Sequence, residues 1–271
     1  MRLRLEKSEK CFAKINIKWD SSKVADKPRD WKVKVINDWT NSDEAKKVTK
    51  AIEDAQEHIL TRYGDDKSGV STDIIEIEVY SKDCVDLTLI DLPGLVRTVS
   101  KNERTELIDE IRSLINDYLR NERCIILAIV PANVDFHNSQ ILADAKTVDP
   151  DTKRTIPVIT KPDTIGQGSE MSVRKLLLGE ETDFALGFHM CKCRSQKELD
   201  DGVTLQQSLK KEGIYFNVTE PWRSEENKSL FGVANLSNKL ATLQVKMIQD
   251  SMPSIISEIS KEKKKAVEDL K

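Results

Sequence analysis

Glycine is scarce in this sequence, with ten glycines among 271 residues. None of the ten lies in a Gly-x-x-x-x-Gly-Lys-Ser/Thr stretch. Such a stretch wraps phosphates with backbone N–H groups, supplies a lysine and places a hydroxyl on Mg²⁺. These 271 residues therefore lack that phosphate-binding loop, and they do not hold a complete nucleotide hydrolase of the kind that depends on it.

Long apolar runs and a strong net charge are also missing. No run approaches the roughly 18 apolar residues that a membrane span needs. The 43 basic and 46 acidic residues give a net charge of −3, so no overall field favours nucleic acid or an anionic membrane. The five cysteines are an odd number, and most lie in apolar runs. This usage predicts free thiols in a reducing compartment, and we expect a cytoplasmic chain.

The most informative stretch of the sequence is 86–94, Asp-Leu-Thr-Leu-Ile-Asp-Leu-Pro-Gly. Its nearly continuous apolar run predicts a buried strand that ends at Pro93-Gly94. Asp91 would then lie at the carboxyl end of a strand, where open α/β sheets bind ligands. A carboxylate there can hold Mg²⁺ through water, and Gly94 lets its N–H approach a phosphate. Taken alone, the pattern also fits a plain strand and turn.

Two later strands end in polar residues in the same way. Residues 155–160 are a β-branched run followed by Lys161-Pro162-Asp163, and the run 188–193 leads into Arg194-Ser195-Gln196. Between 124 and 211, predicted strands alternate with predicted helices at 139–148, 170–178 and 197–211, which is the βαβ pattern of a doubly wound sheet. The carboxyl ends of these strands would deliver their polar residues to one pocket.

Three motifs together carry a resemblance. Asp91-Leu92-Pro93-Gly94, Thr160-Lys161-Pro162-Asp163 and Lys192-Cys193-Arg194-Ser195-Gln196 are similar to the third, fourth and fifth guanine-nucleotide motifs of the dynamin superfamily. Within that superfamily the chain most resembles the myxovirus-resistance (Mx) proteins. Cys193 is Mx-like, whereas Ser195 is the choice of the dynamins proper. The resemblance implies a mixed α/β sheet of the P-loop GTPase type, without its first strand and P-loop, followed by C-terminal bundle helices.

The resemblance also implies roles for individual residues. It assigns nucleotide binding to Asp91, Leu92, Pro93, Gly94, Leu95, Thr160, Lys161, Pro162, Asp163, Lys192, Cys193, Arg194, Ser195 and Gln196. Asp91 and Gly94 would take part in catalysis, with Asp91 holding Mg²⁺ through water, and the loop 96–104 would be a switch. Asp135 would contact the partner's guanine site in a dimer, although an exposed loop acid is an equal alternative. GTP would be the substrate and GDP the product.

The guanine motif also has a chemical rationale. The Asp163 carboxylate can accept hydrogen bonds from guanine N1–H and from its 2-amino group, whereas adenine offers no such donor pair. The stem of Lys161 can lie along the base while its ammonium stays in water. A plain turn after a strand is the alternative for these three residues, and an ATPase is disfavoured.

The outer parts of the chain predict further elements. Strands are expected at 1–5, 11–19, 31–36 and 74–80, the first at a sheet edge and the last antiparallel to 86–91. Helices are expected at 41–63 and 105–120. An amphipathic helix at 230–248 would be interrupted by Pro253 and resume at 254–271. We therefore expect a truncated GTPase domain at 1–228, a bundle helix at 229–252, and a hinge and stalk start at 253–271.

The missing phosphate loop leaves two hypotheses. In the superfamily that loop and the switch threonine lie upstream of the strand that 1–5 matches, so the simplest interpretation is a fragment with little or no GTPase activity. The full-length relative would dimerise through its nucleotide face, form higher oligomers through the missing stalk, and have a membrane or a virus as a candidate target, with no direct contact to nucleic acid. The alternative is a non-catalytic, degenerate GTPase-like interaction module.

Overall fold

Eight strands and seven α-helices make up the described parts of the chain. The structure, a computed structural model, describes residues 1–20, 30–40, 42–62, 71–94, 107–136, 139–181 and 184–269. The predicted site residue Leu95 and the predicted switch loop 96–104 lie outside these ranges. The fold is mixed α/β, as predicted.

The first sheet contains the amino-terminal strands, which are β1 Arg2–Lys7, β2 Phe12–Lys18, β3 Lys34–Asn37, β4 Ile74–Ser81 and β5 Leu87–Ile90. Their order is β3-β2-β4-β1-β5. β1 runs parallel to β4 and antiparallel to β5, and β2 is antiparallel to both β3 and β4. Helix α1, Ser42–Arg62, covers this sheet through a cluster of isoleucines and alanines such as Ile15, Ala55 and Ile77.

The second sheet is parallel and contains β6 Ile126–Pro131, β7 Thr155–Thr160 and β8 His189–Cys191, in that order. Its helices are α2 Leu107–Leu119, α3 Gln140–Val148, α4 Glu170–Leu177, α5 Gln196–Asp200 and α6 Leu205–Val218. The parallel sheet predicted from the alternating strands and helices is thus confirmed. Residues on both faces of β7 are buried, as expected for a strand with helices on both sides of its sheet.

A long helix, α7, covers parts of both sheets. α7 spans Val233–Asp269. Its buried Leu236 and Leu240 share one apolar cluster with Leu87 of β5 and with Ile156 and Val158 of β7. The first turns of α7 therefore join the two sheets through one hydrophobic core.

Two strand predictions are wrong. Residues 1–5 were expected at a sheet edge, but β1 lies between β4 and β5. The pair expected between 74–80 and 86–91 does not form, because β1 is inserted between them. The connection crosses the end of β1, where Ser8 N donates to Ser81 O and Lys7 N donates to the Asp86 carboxylate. β4 and β5 do run in opposite directions, as the short connection predicts, but they are not neighbours in the sheet.

Two helix predictions also need correction. The helix expected at 197–211 is two helices, because Gly202 adopts a left-handed φ of 72° after α5 and the Thr204 side chain caps α6. The interruption expected at Pro253 is absent, and α7 continues through it. A proline keeps a helical φ and removes one N–H donor, and a 37-residue helix tolerates that loss.

Candidate functional site

Three loops begin side by side at the carboxyl ends of β6, β7 and β8. Pro131 is opposite Thr160, and Thr160 is opposite Cys191, in the parallel registers. Ala132 N donates to Thr160 O at 2.7 Å and continues the ladder one residue further. The chain therefore leaves the sheet at neighbouring points at Ala132, Lys161 and Lys192, which is the edge where parallel sheets bind ligands.

Asp163 and Lys192 come together across two of these loops. The Lys192 Nζ lies 4.0 Å from Asp163 Oδ2 and 5.6 Å from the centre of the Tyr215 ring. The Asp163 side chain is 43% exposed, whereas that of Lys192 is 19% exposed. Pro162 is buried and begins a short 3-10 turn that brings Asp163 into this position. The carboxylate is thus open to a ligand and has a cation close behind it.

Lys161 has a strained backbone. Its φ is 53° and its ψ is 50°, the left-handed region that residues with a Cβ enter at a cost. Thr164 stabilises the turn by donating to Lys161 O from its N–H at 3.0 Å and from its hydroxyl at 2.8 Å. Strain of this kind is concentrated at functional sites, where the surrounding structure holds a residue in an unfavourable conformation.

Lys161→Gly should therefore separate stability from binding. Glycine adopts the left-handed conformation without a steric cost, so we expect the free energy of unfolding to stay the same or rise by up to about 1 kcal/mol. The affinity for a guanine nucleotide should fall several-fold, because the variant loses the stem that we expect to cover the base. Chemical denaturation and a binding titration check the two effects, and Lys161→Ala is the control that loses the stem but keeps the strain. A large loss of stability in the glycine variant would contradict this interpretation.

The loop after β8 is fixed at both ends. Arg194 Nη1 donates to Val203 O at 2.8 Å. Ser195 caps α5, and Glu198 returns the contact by accepting from Ser195 N in a capping box. A hydrogen bond from Lys211, followed by the bond from Ser195 N, lowers the pKa of Glu198 to about 2. Gln196 Nε2 also donates to Asp200 Oδ1 at 3.0 Å. The side chains of Arg194, Ser195 and Gln196 therefore all have contacts within the protein, and the backbone of the loop is left to face a ligand.

The Asp91-Leu92-Pro93-Gly94 corner follows β5 at the edge of the other sheet. Asp91 N donates to Met1 O at 2.8 Å and extends the β1–β5 ladder, and Leu92 packs against α2. Among the described residues, no hydrogen bond or ion pair joins this corner to the loops after β7 and β8. The structure therefore brings together the fourth and fifth motifs, and it leaves the third as a separate corner.

The Asp91 side chain fits one role in metal binding. It is exposed, and its carboxylate accepts no hydrogen bond within the part of the chain that the structure describes. In the same ranges no group of three His, Cys, Asp or Glu side chains is placed to hold a metal. A single free carboxylate suits Mg²⁺, which takes few protein ligands and keeps several waters.

Asp135 lies on the exposed turn after β6, next to a separate cavity. This cavity has a volume of about 440 Å³, and its lining includes Asn133, Asp135, Ile165, Ser169 and Glu181. Neither Asp163 nor Lys192 is among the residues that line this cavity.

The sequence analysis missed Glu212, a buried acid beside the loop after β8. Its carboxylate accepts from Lys192 N at 2.8 Å, and the side chain is 4% exposed. Burial, together with the nearby Glu212 charge, raises the pKa of the Cys193 thiol. The signal in the sequence is its spacing, because Glu212 is four residues before the buried Phe216 and so lies on the apolar face of α6.

Two family models match this chain. The model described as "Dynamin family" matches residues 4–162, and the model described as "Dynamin central region" matches residues 172–271. The first match alone covers more than half of the chain and includes the Asp91 corner, Thr160 and Lys161.

Curated proteins with similar sequences carry a consistent name. The chain is 35% identical over 214 residues to an interferon-induced GTP-binding protein Mx of Dicentrarchus labrax, which is 79% of this chain and 32% of that protein. It is 35% identical over 193 residues to an interferon-induced GTP-binding protein Mx of Perca fluviatilis, which is 71% of this chain and 63% of that protein. It is 33% identical over 203 residues to Mx2 of Homo sapiens, with 75% and 28% covered. The chain thus spans about a third of the length of most of these relatives. No helix in the described ranges is long and apolar enough to cross a membrane.

Proposed function

Because this chain belongs to the dynamin family and is a GTPase relative of the Mx type, we propose that it binds guanine nucleotide through the loops after β7 and β8. The observation that carries the proposal is the pair of Asp163 and Lys192, with their charged atoms 4.0 Å apart at the carboxyl edge of a parallel sheet. The curated relatives are named GTP-binding proteins. Dynamin-family GTPases bind guanine nucleotide, and this chain contributes the base-recognition half of such a site.

Base recognition rests on Asp163 and on the two loops around it. The Asp163 carboxylate accepts from guanine N1–H and from the 2-amino group, and Lys192, 4.0 Å away, helps to hold it in position. Lys161 covers one face of the base with its stem, and the 193–196 loop approaches the other side and the ribose. Adenine presents no pair of donors at this edge, so its binding would leave a desolvated carboxylate without partners.

The phosphate half of the site is centred on Asp91 and Gly94. The exposed Asp91 carboxylate would hold Mg²⁺ through a water, and the Gly94 N–H would donate to the γ-phosphate. Mg²⁺ supplies charge neutralisation on the phosphates during hydrolysis. Leu95 would belong to the same segment. The remaining phosphate contacts need the backbone N–H groups of a Gly-x-x-x-x-Gly-Lys-Ser/Thr loop. No such loop is present in residues 1–271.

Assembly and domain organisation form the second part of the proposal. Dynamin-family GTPases self-assemble, and we assign this chain a homodimer across its nucleotide face, with Asp135 reaching the partner's guanine site. Residues 1–228 would be the GTPase domain, 229–252 a bundle helix and 253–271 a hinge and the start of a stalk helix. The hinge would then lie at Pro253 within the continuous α7, where one backbone N–H donor is missing. Val245, Ile248, Ile256 and Ile259 are apolar residues of α7 that are more than half exposed, and this supports packing of α7 against further helices.

The experiment is a titration of purified 1–271 with fluorescent GDP in Mg²⁺, with ATP as the competitor, followed by a GTPase assay. We expect weak binding that GTP competes for and ATP does not, because the base site is present and the phosphate loop is not. Hydrolysis should be at least about a hundredfold below that of a full-length relative, since electrostatic stabilisation of phosphate charge is the largest part of such catalysis.

Two outcomes contradict different parts of the proposal. Multiple turnover of GTP by contaminant-free 1–271 would overturn the expected deficiency. No guanine-selective binding at high protein concentration would favour the second candidate function, a non-catalytic interaction module, which the exposed apolar side chains of α7 support.

A further inference from the structure

Glu212 joins two elements that are far apart in the sequence. On one side, Glu212 Oε1 accepts from Lys192 N at 2.8 Å, at the first residue of the candidate guanine loop. On the other side, Glu212 Oε2 accepts from Val233 N at 3.0 Å, at the first residue of α7. The same carboxylate therefore holds the loop after β8 and the start of a 37-residue helix.

The backbone around Glu212 strengthens this connection. Gly232 N donates to Met190 O at 2.9 Å, and His189 Nε2 lies 2.9 Å from Gly232 O. Phe231 forms a parallel bridge with Met190, so the segment before α7 runs beside β8. Lys192 comes directly after β8, and Val233 comes directly after the segment that is paired with β8. A shift of one segment reaches the other through a carboxylate that is 4% exposed and cannot exchange its partners for water.

Two backbone N–H groups are the hydrogen-bond donors to the Glu212 carboxylate. Among the described residues, Glu212 makes no ion pair with a lysine, arginine or histidine. One of the two donors is at the amino terminus of α7, where the helix dipole is positive and favours an acidic side chain. Loss of either donor leaves a buried carboxylate with half of its stabilisation, which raises the free energy of that arrangement.

We infer that Glu212 is a positioning residue that makes the conformation of the 192–196 loop depend on the position of the amino terminus of α7, and the reverse. Coupling of this kind is reciprocal, since a ligand that fixes the loop must then also fix the start of α7. The inference deepens the proposed function, on which its ligand rests. Its chemical basis, one buried acceptor shared by two donors, does not require a nucleotide.

Val233→Pro tests the coupling from the α7 side. Proline is well tolerated at the first position of a helix and removes only the N–H that donates to Glu212. We expect hydrogen exchange of the Lys192 amide, measured by NMR, to rise about tenfold, the equivalent of one modest hydrogen bond. Binding of fluorescent GDP should weaken several-fold. Val233→Ala, which keeps the N–H and shortens the side chain, should leave both within about twofold.

A second variant acts next to the same carboxylate without proline. Gly232 has a φ of 88°, and a Cβ there would be in ordinary contact with Glu212 Oε2 at 3.4 Å. The strained φ of an alanine would shift the backbone beside Val233 N, so Gly232→Ala should also speed exchange at Lys192. Gly168→Ala is its matched control, because Gly168 has a φ of 92° and no atom within 4 Å of such a Cβ.

The results separate the inference from the proposed function. Faster exchange at Lys192 in the Val233 and Gly232 variants, and not in their controls, supports the coupling. Unchanged exchange at Lys192 in either folded variant overturns it, whether or not a nucleotide binds. Failure of the unmodified chain to bind GDP would instead overturn the proposed function, and the exchange measurement on the ligand-free protein would still decide the coupling.

Discussion

Arg154→Met is expected to lower the free energy of unfolding by about 3–5 kcal/mol, the largest stability effect that we expect of a single substitution. The guanidinium is 7% exposed and donates to the main-chain oxygens of Leu119, Val148, Cys124 and Asn121 at 2.7, 3.1, 3.2 and 3.4 Å. Leu119 and Val148 are the last residues of α2 and α3. One cation therefore caps two helix carboxyl ends, where the helix dipole is negative.

Methionine fills most of the same volume but leaves the partly buried carbonyl groups of Leu119, Val148 and Cys124 without the Arg154 donors, whereas Asn121 O keeps its bond from Cys124 N. Thermal or urea denaturation followed by circular dichroism measures the effect, which should lower Tm by about 10 °C for a chain of this size. Arg223→Met is the control, because Arg223 is exposed and pairs with Glu220 on the surface, where a pair contributes little. A loss below about 1 kcal/mol in the Arg154 variant would show that water replaces these contacts.

Asp163→Asn is expected to have the largest effect on binding, a loss of guanine-nucleotide affinity of about a hundredfold or more. The amide has a single acceptor, and its NH₂ group would face the donors of the guanine edge. Xanthine carries a carbonyl oxygen where guanine has its 2-amino group, so an asparagine can donate to that oxygen and accept from N1–H. Affinity for xanthine nucleotide should therefore rise in the same variant.

Competition of GDP, xanthosine diphosphate and ADP against a fluorescent nucleotide measures this change from guanine to xanthine preference. Asp151→Asn is the control, because Asp151 is an exposed carboxylate that pairs with Lys153 outside the candidate site. Equal affinities of the wild type and the Asp163 variant for all three nucleotides would mean that Asp163 does not contact the base.

The strands of the second sheet could be predicted from the sequence because their apolar runs are local signals. Thr155–Thr160 is buried on both faces, and the polar residues that follow indicate where the strand ends. The neighbours of β1 could not be predicted, because strand pairing depends on packing between distant segments. The alternation at 1–5 fits an edge and an interior strand equally well. Only the shared clusters with β4 and β5 place β1 between them.

The candidate site was predicted in part for a similar reason. Asp163 and Lys192 follow two strands that become neighbours, so their order along the chain was enough to bring them together. Arg154 and Glu212 are charged residues in polar stretches, and such residues are exposed in most proteins. Their burial depends on carbonyl and N–H groups that α2, α3 and α7 supply from elsewhere in the chain. Arg154 leaves no periodic pattern in the sequence, and Glu212 leaves only its spacing from Phe216, which does not show the backbone groups that it binds.

The measurement that tests the central claim most directly is amide hydrogen exchange of 1–271 in Mg²⁺ with saturating GDP and, separately, with ADP. The account predicts that GDP slows exchange at 160–164 and 192–196, with a smaller effect at the start of α7, and that ADP at the same concentration does not. Protection by GDP elsewhere in the chain and none at these loops, or equal protection by both nucleotides, would contradict a guanine site built on Asp163 and Lys192.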